Sequence, residues 1–161
     1  MPEKSTIHAR HQARILALQA LYELDTTRHR ADQVIACRLE EQPLPAEGEA
    51  FLRLLVSGVL THRERLDAVI QHYAPAWPVS QIAVIDRNVL RIALFELSGA
   101  TSTPPKVAIN EAVDLAKLFG SDNSSRFVNG VLGSAIADQQ VISLAAAPAP
   151  SSQPPAAAQK D

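Results

Sequence analysis

One cysteine in 161 residues, Cys37, excludes an internal disulfide framework and a cysteine-rich zinc site. Aromatic residues make up only 4% of the chain against 47% hydrophobic residues. A core of Ala, Leu, Val and Ile follows, which suits closely packed helices. Glycines are few and isolated, six in all, so no glycine-rich loop can cradle a phosphate. Neither charge dominates: 15 Lys and Arg face 17 Asp and Glu, a net charge of -2. Whole-molecule charge therefore does not attract a polyanion, and any contact with nucleic acid needs a local patch. No apolar run reaches the roughly 18 residues that span a membrane. Met1 to Ile7 is polar and lacks the core of a secretory signal. These features together predict a cytoplasmic protein with no membrane association.

What is present is helical periodicity. Ala13, Ala17, Ala20, Leu21 and Leu24 recur at spacings of three and four, predicting a first helix from His8 to Leu24. Residues 1–7 before it read as a flexible arm. A second helix is expected over Asp32–Gln42, with Val34, Ile35 and Leu39 inward and Pro43 and Pro45 ending it. Residues 47–73 read as one long helix or two consecutive ones, carried by Phe51, Leu54, Leu55, Val59, Leu66, Val69 and Ile70. Gly58 marks a bend or a close contact. The connector from Tyr73 to Pro78 holds two prolines and the only tryptophan, Trp77, expected to pack down. Ser80 is placed to cap the next helix, which is apolar around most of its circumference and so central. Gly99 stops it, Pro105 opens the following helix and Gly120 closes that one. Ser121 to Ser125 supplies caps for a last helix ending near Asp138, in which Gly130 suggests close helix approach. Residues 8–142 thus read as a single all-α domain, and 143–161, rich in Ala and Pro, as a disordered tail.

Enzyme chemistry finds little support. Cys37 lies beside Ile35, Ala36 and Leu39, which reads as packing. His8 and His11 are one turn apart, but His29, His62 and His72 are scattered and no HExxH pattern occurs, so no metal site is expected. Glu111 and Asp114 read as a solvated face or a bridge to an arginine such as Arg91. Asn123-Ser124-Ser125 matches a glycosylation acceptor, which carries no weight without a secretory signal. Recognition features are better. Arg10, His11 and Arg14 cluster after Lys4 and could neutralise phosphates. Tyr73 and Phe127 lie at predicted helix ends, where rings can stack on unpaired bases.

Three motifs in order carry a resemblance. They are Ala13-Arg14 with Leu18-Gln19-Ala20-Leu21-Tyr22, then Val89-Leu90-Arg91-Ile92-Ala93-Leu94-Phe95-Glu96-Leu97, and finally the run from Pro105 to Gly120 with Phe127-Val128-Asn129-Gly130-Val131-Leu132. Over residues 8–138 the chain resembles the NusB family of bacterial transcription antitermination factors. The resemblance implies a bundle of about seven helices in two packed subdomains, with no catalysis and no cofactor. It implies binding of boxA-type single-stranded RNA in ribosomal RNA leader transcripts, together with the small-subunit ribosomal protein NusE. The pair would join a complex on RNA polymerase that suppresses termination. RNA-binding positions carried over are Arg10, His11, Arg14, Tyr73, Asn123, Arg126 and Phe127. Tyr22 and Asp86 match positions that face NusE. The resemblance also leaves room for a homodimer that covers the RNA surface, and for a non-catalytic, self-associating adaptor in ribosomal RNA maturation.

Overall fold

The computed structural model describes residues 2–138 and shows seven α-helices among them. They are α1 (Pro2–Thr26), α2 (Ala31–Glu41), α3 (Ala46–Thr61), α4 (Arg63–Tyr73), α5 (Val84–Phe95), α6 (Pro105–Phe119) and α7 (Ser124–Ala137). The expected tail, residues 143–161, lies outside the described residues. Helices α1, α2 and α3 form one packed group, and α4 to α7 a second. Helix α5 touches α1, α3, α4, α6 and α7, so it joins the two. Its residues from Asn88 to Phe95 are all buried, as its nearly continuous apolar sequence predicts.

Several local expectations change. The arm is helical: α1 starts at Pro2. Proline is tolerated in a first turn. Thr6 Oγ1 donates to Glu47 Oε2 at 3.1 Å, tying this extension to the start of α3. Ser80 does not cap α5. It sits in a 3-10 turn, Val79–Gln81, and the helix begins three residues later behind Ala83. The long stretch 47–73 is two helices, broken at His62 (φ -104°, ψ 14°) rather than at Gly58. Gly58 is the close contact instead: a β-carbon there would overlap the Phe95 ring. Gly130 is the opposite case, since nothing lies within 4 Å of where its β-carbon would be. Its close-approach explanation is therefore replaced by an open surface.

Gly99 takes φ 86°, the left-handed conformation that ends the π turn Glu96–Ala100 following α5. Pro105 occupies the first turn of α6, as expected. Three apolar side chains expected inward are not. Leu54 is exposed, Cys37 is exposed, and Trp77 is 64% exposed despite its size.

Candidate nucleic-acid interface

The basic start of α1 is not an open cationic patch. Arg14 is buried, and its guanidinium grips Glu96 twice, Nε to Oε2 at 2.9 Å and NH2 to Oε1 at 2.7 Å. Thr103 Oγ1 adds a hydrogen bond to the same carboxylate at 2.7 Å. A buried carboxylate on the π turn needs a paired cation, so the arginine turns inward. Arg14 is thereby removed from the residues that can meet RNA. Its neighbour Arg10 is half-buried, with its guanidinium 4.8 Å from the centre of the Phe51 ring. Arg10 Nε is buried with no hydrogen-bond partner among the described residues. His11 Nδ1 lies 2.8 Å from Glu111 Oε2, so Glu111 answers His11 and, at 3.9 Å, Arg14, rather than Arg91.

The second group of expected residues does converge. The connector after α4 and the start of α7 enclose a groove of about 520 Å³ lined by Tyr73, Pro75, Trp77, Ile82, Arg126 and Phe127 among others. Trp77, Ile82 and Phe127 continue into an adjoining compartment of about 420 Å³ that also reaches Asp86 and Asn123. Local sequence explains how these side chains are presented. Pro75 and Pro78 stiffen the connector and hold Trp77 out of the core. Gln71 clamps the connector, donating to the Trp77 carbonyl at 2.8 Å and accepting from the Val79 amide at 3.1 Å. At the α6–α7 turn the Ser121 amide donates to Ser124 Oγ at 2.9 Å, and Gly120 leaves room for that serine. Asn123 sits at the N-cap position of α7, yet its side chain makes no capping bond. Arg126 is exposed and forms no ion pair among the described residues.

Tyr73 belongs to the groove and is anchored. Its hydroxyl donates to Asp138 Oδ2 at 2.8 Å. Partial burial, that hydrogen bond and the negative charge of Asp138 raise its pKa above the ordinary 10.0. Tyr22 is exposed near the end of α1. Asp86, which the resemblance assigns with Tyr22 to a NusE-facing surface, shares a compartment with Asn123 and Phe127. Asp86 is buried, and its Oδ1 has no hydrogen-bond partner among the described residues. No hydrogen bond or ion pair among the described residues links Arg10 or His11 to the groove. Trp77, Ile82 and Gly130 are groove residues that sequence reasoning missed. The one available signal was a tryptophan flanked by prolines, outside any helical period.

Residues 11–137 match the model of the NusB family. The chain belongs to that family. It is 57% identical over 129 residues to the transcription antitermination protein NusB of Roseiflexus castenholzii, covering 79% of this chain and 91% of the relative. It is 49% identical over 126 residues to that of Dehalococcoides mccartyi, covering 78% of this chain and 88% of the relative. Among solved structures, NusB of T. maritima superimposes with a TM-score of 0.72 at 29% identity, covering 83% of this chain and 89% of that one. A crystal structure of the antitermination factors NusB and NusE in complex with dsRNA also gives 0.72, at 26% identity, covering 79% of this chain and 95% of that one. The NusB-like bundle of two packed subdomains read from the sequence is therefore the observed fold. No helix among the described residues is long and apolar enough to cross a membrane.

Proposed function

We propose that this chain is a non-catalytic, cytoplasmic transcription antitermination factor. In this reading it binds boxA-type single-stranded RNA together with the ribosomal protein NusE, as part of the RNA polymerase antitermination complex. The observation that carries the reading is the convergence of Tyr73, Phe127, Arg126 and Asn123 on one groove, built from segments that are far apart in the chain. Half-buried rings with an exposed cation at the rim suit unpaired bases joined by phosphates. Arg10, at the separate start of α1, and the outer edge of His11 supply weaker positioning contacts, since phosphate contacts orient without reading sequence. Tyr22, exposed on α1, and Asp86 in the first turn of α5 are the residues assigned to the protein partner. A complex holding NusB, NusE and RNA exists for a structural relative, and that precedent supports pairing the two partners here.

The test is RNA affinity over a salt series. Phe127→Ala should weaken binding of a boxA-type RNA about tenfold, because stacking on one ring is worth roughly 1–3 kcal/mol. Arg126→Ala should weaken it less and lower the salt slope by about one ion. Unchanged affinity and slope in both variants would count against the groove as the RNA surface.

A further inference from the structure

The chain leaves the described fold at the wall of the groove. Helix α7 ends at Ala137, and the Tyr73 hydroxyl, itself a groove residue, donates to Asp138 Oδ2 at 2.8 Å. The groove walls are chiefly apolar: Tyr73, Pro75, Trp77, Ile82, Phe127 and Val131. Trp77 is 64% exposed, and a large ring left in water gains free energy from a cover. Residues 139–161 follow Asp138; they lie outside the described residues and beyond the stretch 11–137 that matches the family model. Residues 139–159 carry no charged side chain. Val141, Ile142 and Leu144 come first, followed by Pro148, Pro150, Pro154 and Pro155.

We propose that residues 141–150 of this same chain occupy the groove and compete there with RNA. Occupancy stands on the groove and the exit point; the competition rests on the RNA-binding reading above. The distances fit. Val131 and Arg126 lie seven and twelve positions back from Asp138 along α7, about 10 and 18 Å at roughly 1.5 Å per residue. At about 3.3 Å per extended residue, three residues cover the first span and about six the second. Val141, Ile142 and Leu144 are thus within reach of the Tyr73 compartment. Pro148 and Pro150 reach the adjoining one, which Trp77 and Phe127 also line. The chemistry fits too. Aromatic-lined grooves take proline-rich segments, whose pre-set backbone loses little entropy on docking. An uncharged segment also brings no charge of its own into an apolar site.

A second copy of the chain could also cover Trp77. The tether favours the chain's own segment, because a linked occupant is held at an effective concentration on the order of 1 mM. A segment with a Kd of about 0.1 mM in trans would then fill the groove about nine-tenths of the time and weaken RNA about tenfold. RNA still displaces it. Arg126 stays exposed at the rim, where an uncharged segment cannot pair with it and a phosphate can.

Trp77 is the only tryptophan, so its fluorescence reports directly on the groove. The comparison is between the full chain and the full chain carrying Ile142→Asp with Leu144→Asp, which puts charge into the segment. The variant should emit at longer wavelength, be quenched more by acrylamide and bind octauridylate about tenfold tighter, with its helical circular dichroism unchanged. The milder pair Ile142→Ser with Leu144→Ser should move each readout the same way and less. A synthetic peptide of residues 139–156 added to the aspartate variant should reverse all three changes saturably. Identical emission, quenching and RNA affinity in wild type and both variants would overturn the proposal and leave the RNA reading standing. A Trp77 shift that grows with protein concentration would seat a second copy in the groove and equally overturn it. A concentration-independent Trp77 shift with no salt-sensitive RNA binding by any of the chains would uphold the occupancy and sink both the RNA reading and the competition.

Discussion

At the scale of single residues, two arginines one turn apart have opposite fates. Arg10 keeps an outer edge in solvent above Phe51, whereas Arg14 is sealed against Glu96. Truncating Arg14 strands a buried carboxylate with only the Thr103 hydroxyl for company, a loss typically worth about 3–5 kcal/mol. Arg14→Ala should therefore lower thermal stability severely. The double variant Arg14→Met, Glu96→Met should be milder than Arg14→Ala, because no unpaired charge remains buried. Thermal melts of the two variants check this. Equal or greater loss in the double variant would show that the pair itself, not the stranded charge, holds the π turn to α1. Loss of RNA binding on changing Arg14 is accordingly expected to follow from unfolding and not from a missing phosphate contact.

At the scale of elements, two glycines in helices separate packing from propensity. Glycine costs a helix interior about 1 kcal/mol relative to alanine. At Gly58 that cost is offset by contact, because Phe95 of α5 fills the space over α3 and the His62 ring stacks on the same phenyl at 6.1 Å between centroids. Gly58→Ala should destabilise by about 1–3 kcal/mol through overpacking. Gly130 sits on α7 with open space around it, so Gly130→Ala should stabilise by about 0.5–1 kcal/mol. Chemical denaturation of both variants compares the signs directly; the same sign at both positions would contradict the packing described. The helices themselves were largely legible, since their periods, prolines and the Gly99 stop are local signals. Boundaries moved where tertiary partners intervened: Thr6 extends α1 by bonding Glu47, and the 3-10 turn at Ser80 delays α5.

At the scale of the whole molecule, one carboxylate ties the two helical groups together. Asp25 near the end of α1 accepts hydrogen bonds from Arg87 at 2.7 Å, Asn88 at 3.0 Å, Arg91 at 3.2 Å and Arg63 at 3.4 Å. Arg91 in turn holds Asp67 of α4 through two bonds, at 2.7 and 3.0 Å. Burial alone pushes the Asp25 pKa up, but the hydrogen bonds from Arg87 and Asn88 and the charges of Arg91 and Arg87 leave it below the ordinary 3.8. A lowered folded pKa means the stabilisation is fully present above 3.8 and is lost as the pH falls through and below that value. Acid unfolding should therefore include a component below about pH 4 that Asp25→Asn removes, with lower stability at pH 7 in that variant. Melting temperatures between pH 2 and 7 measure it, and an identical acid limb in both proteins would refute the assignment.

The amino-acid sequence by itself determined the all-α class, the order and approximate extent of the helices, the central place of α5 and membership of the NusB family. Each of these rests on patterns that repeat within a few turns or on motifs read in order. Tyr73 and Phe127 were legible as rings at helix ends, but only the family resemblance grouped them with Asn123 and Arg126, because nothing local distinguishes a groove ring from a core ring. The tertiary structure decided the rest. Arg14 is buried because Glu96, 82 positions away, needs its charge. Trp77 is exposed because prolines and Gln71 hold its loop off the core. Asp86 lines the groove beside Asn123 because α5 and the turn before α7 meet there. Burial and exposure depend on which distant segments pack together, and that information exists only in the folded chain.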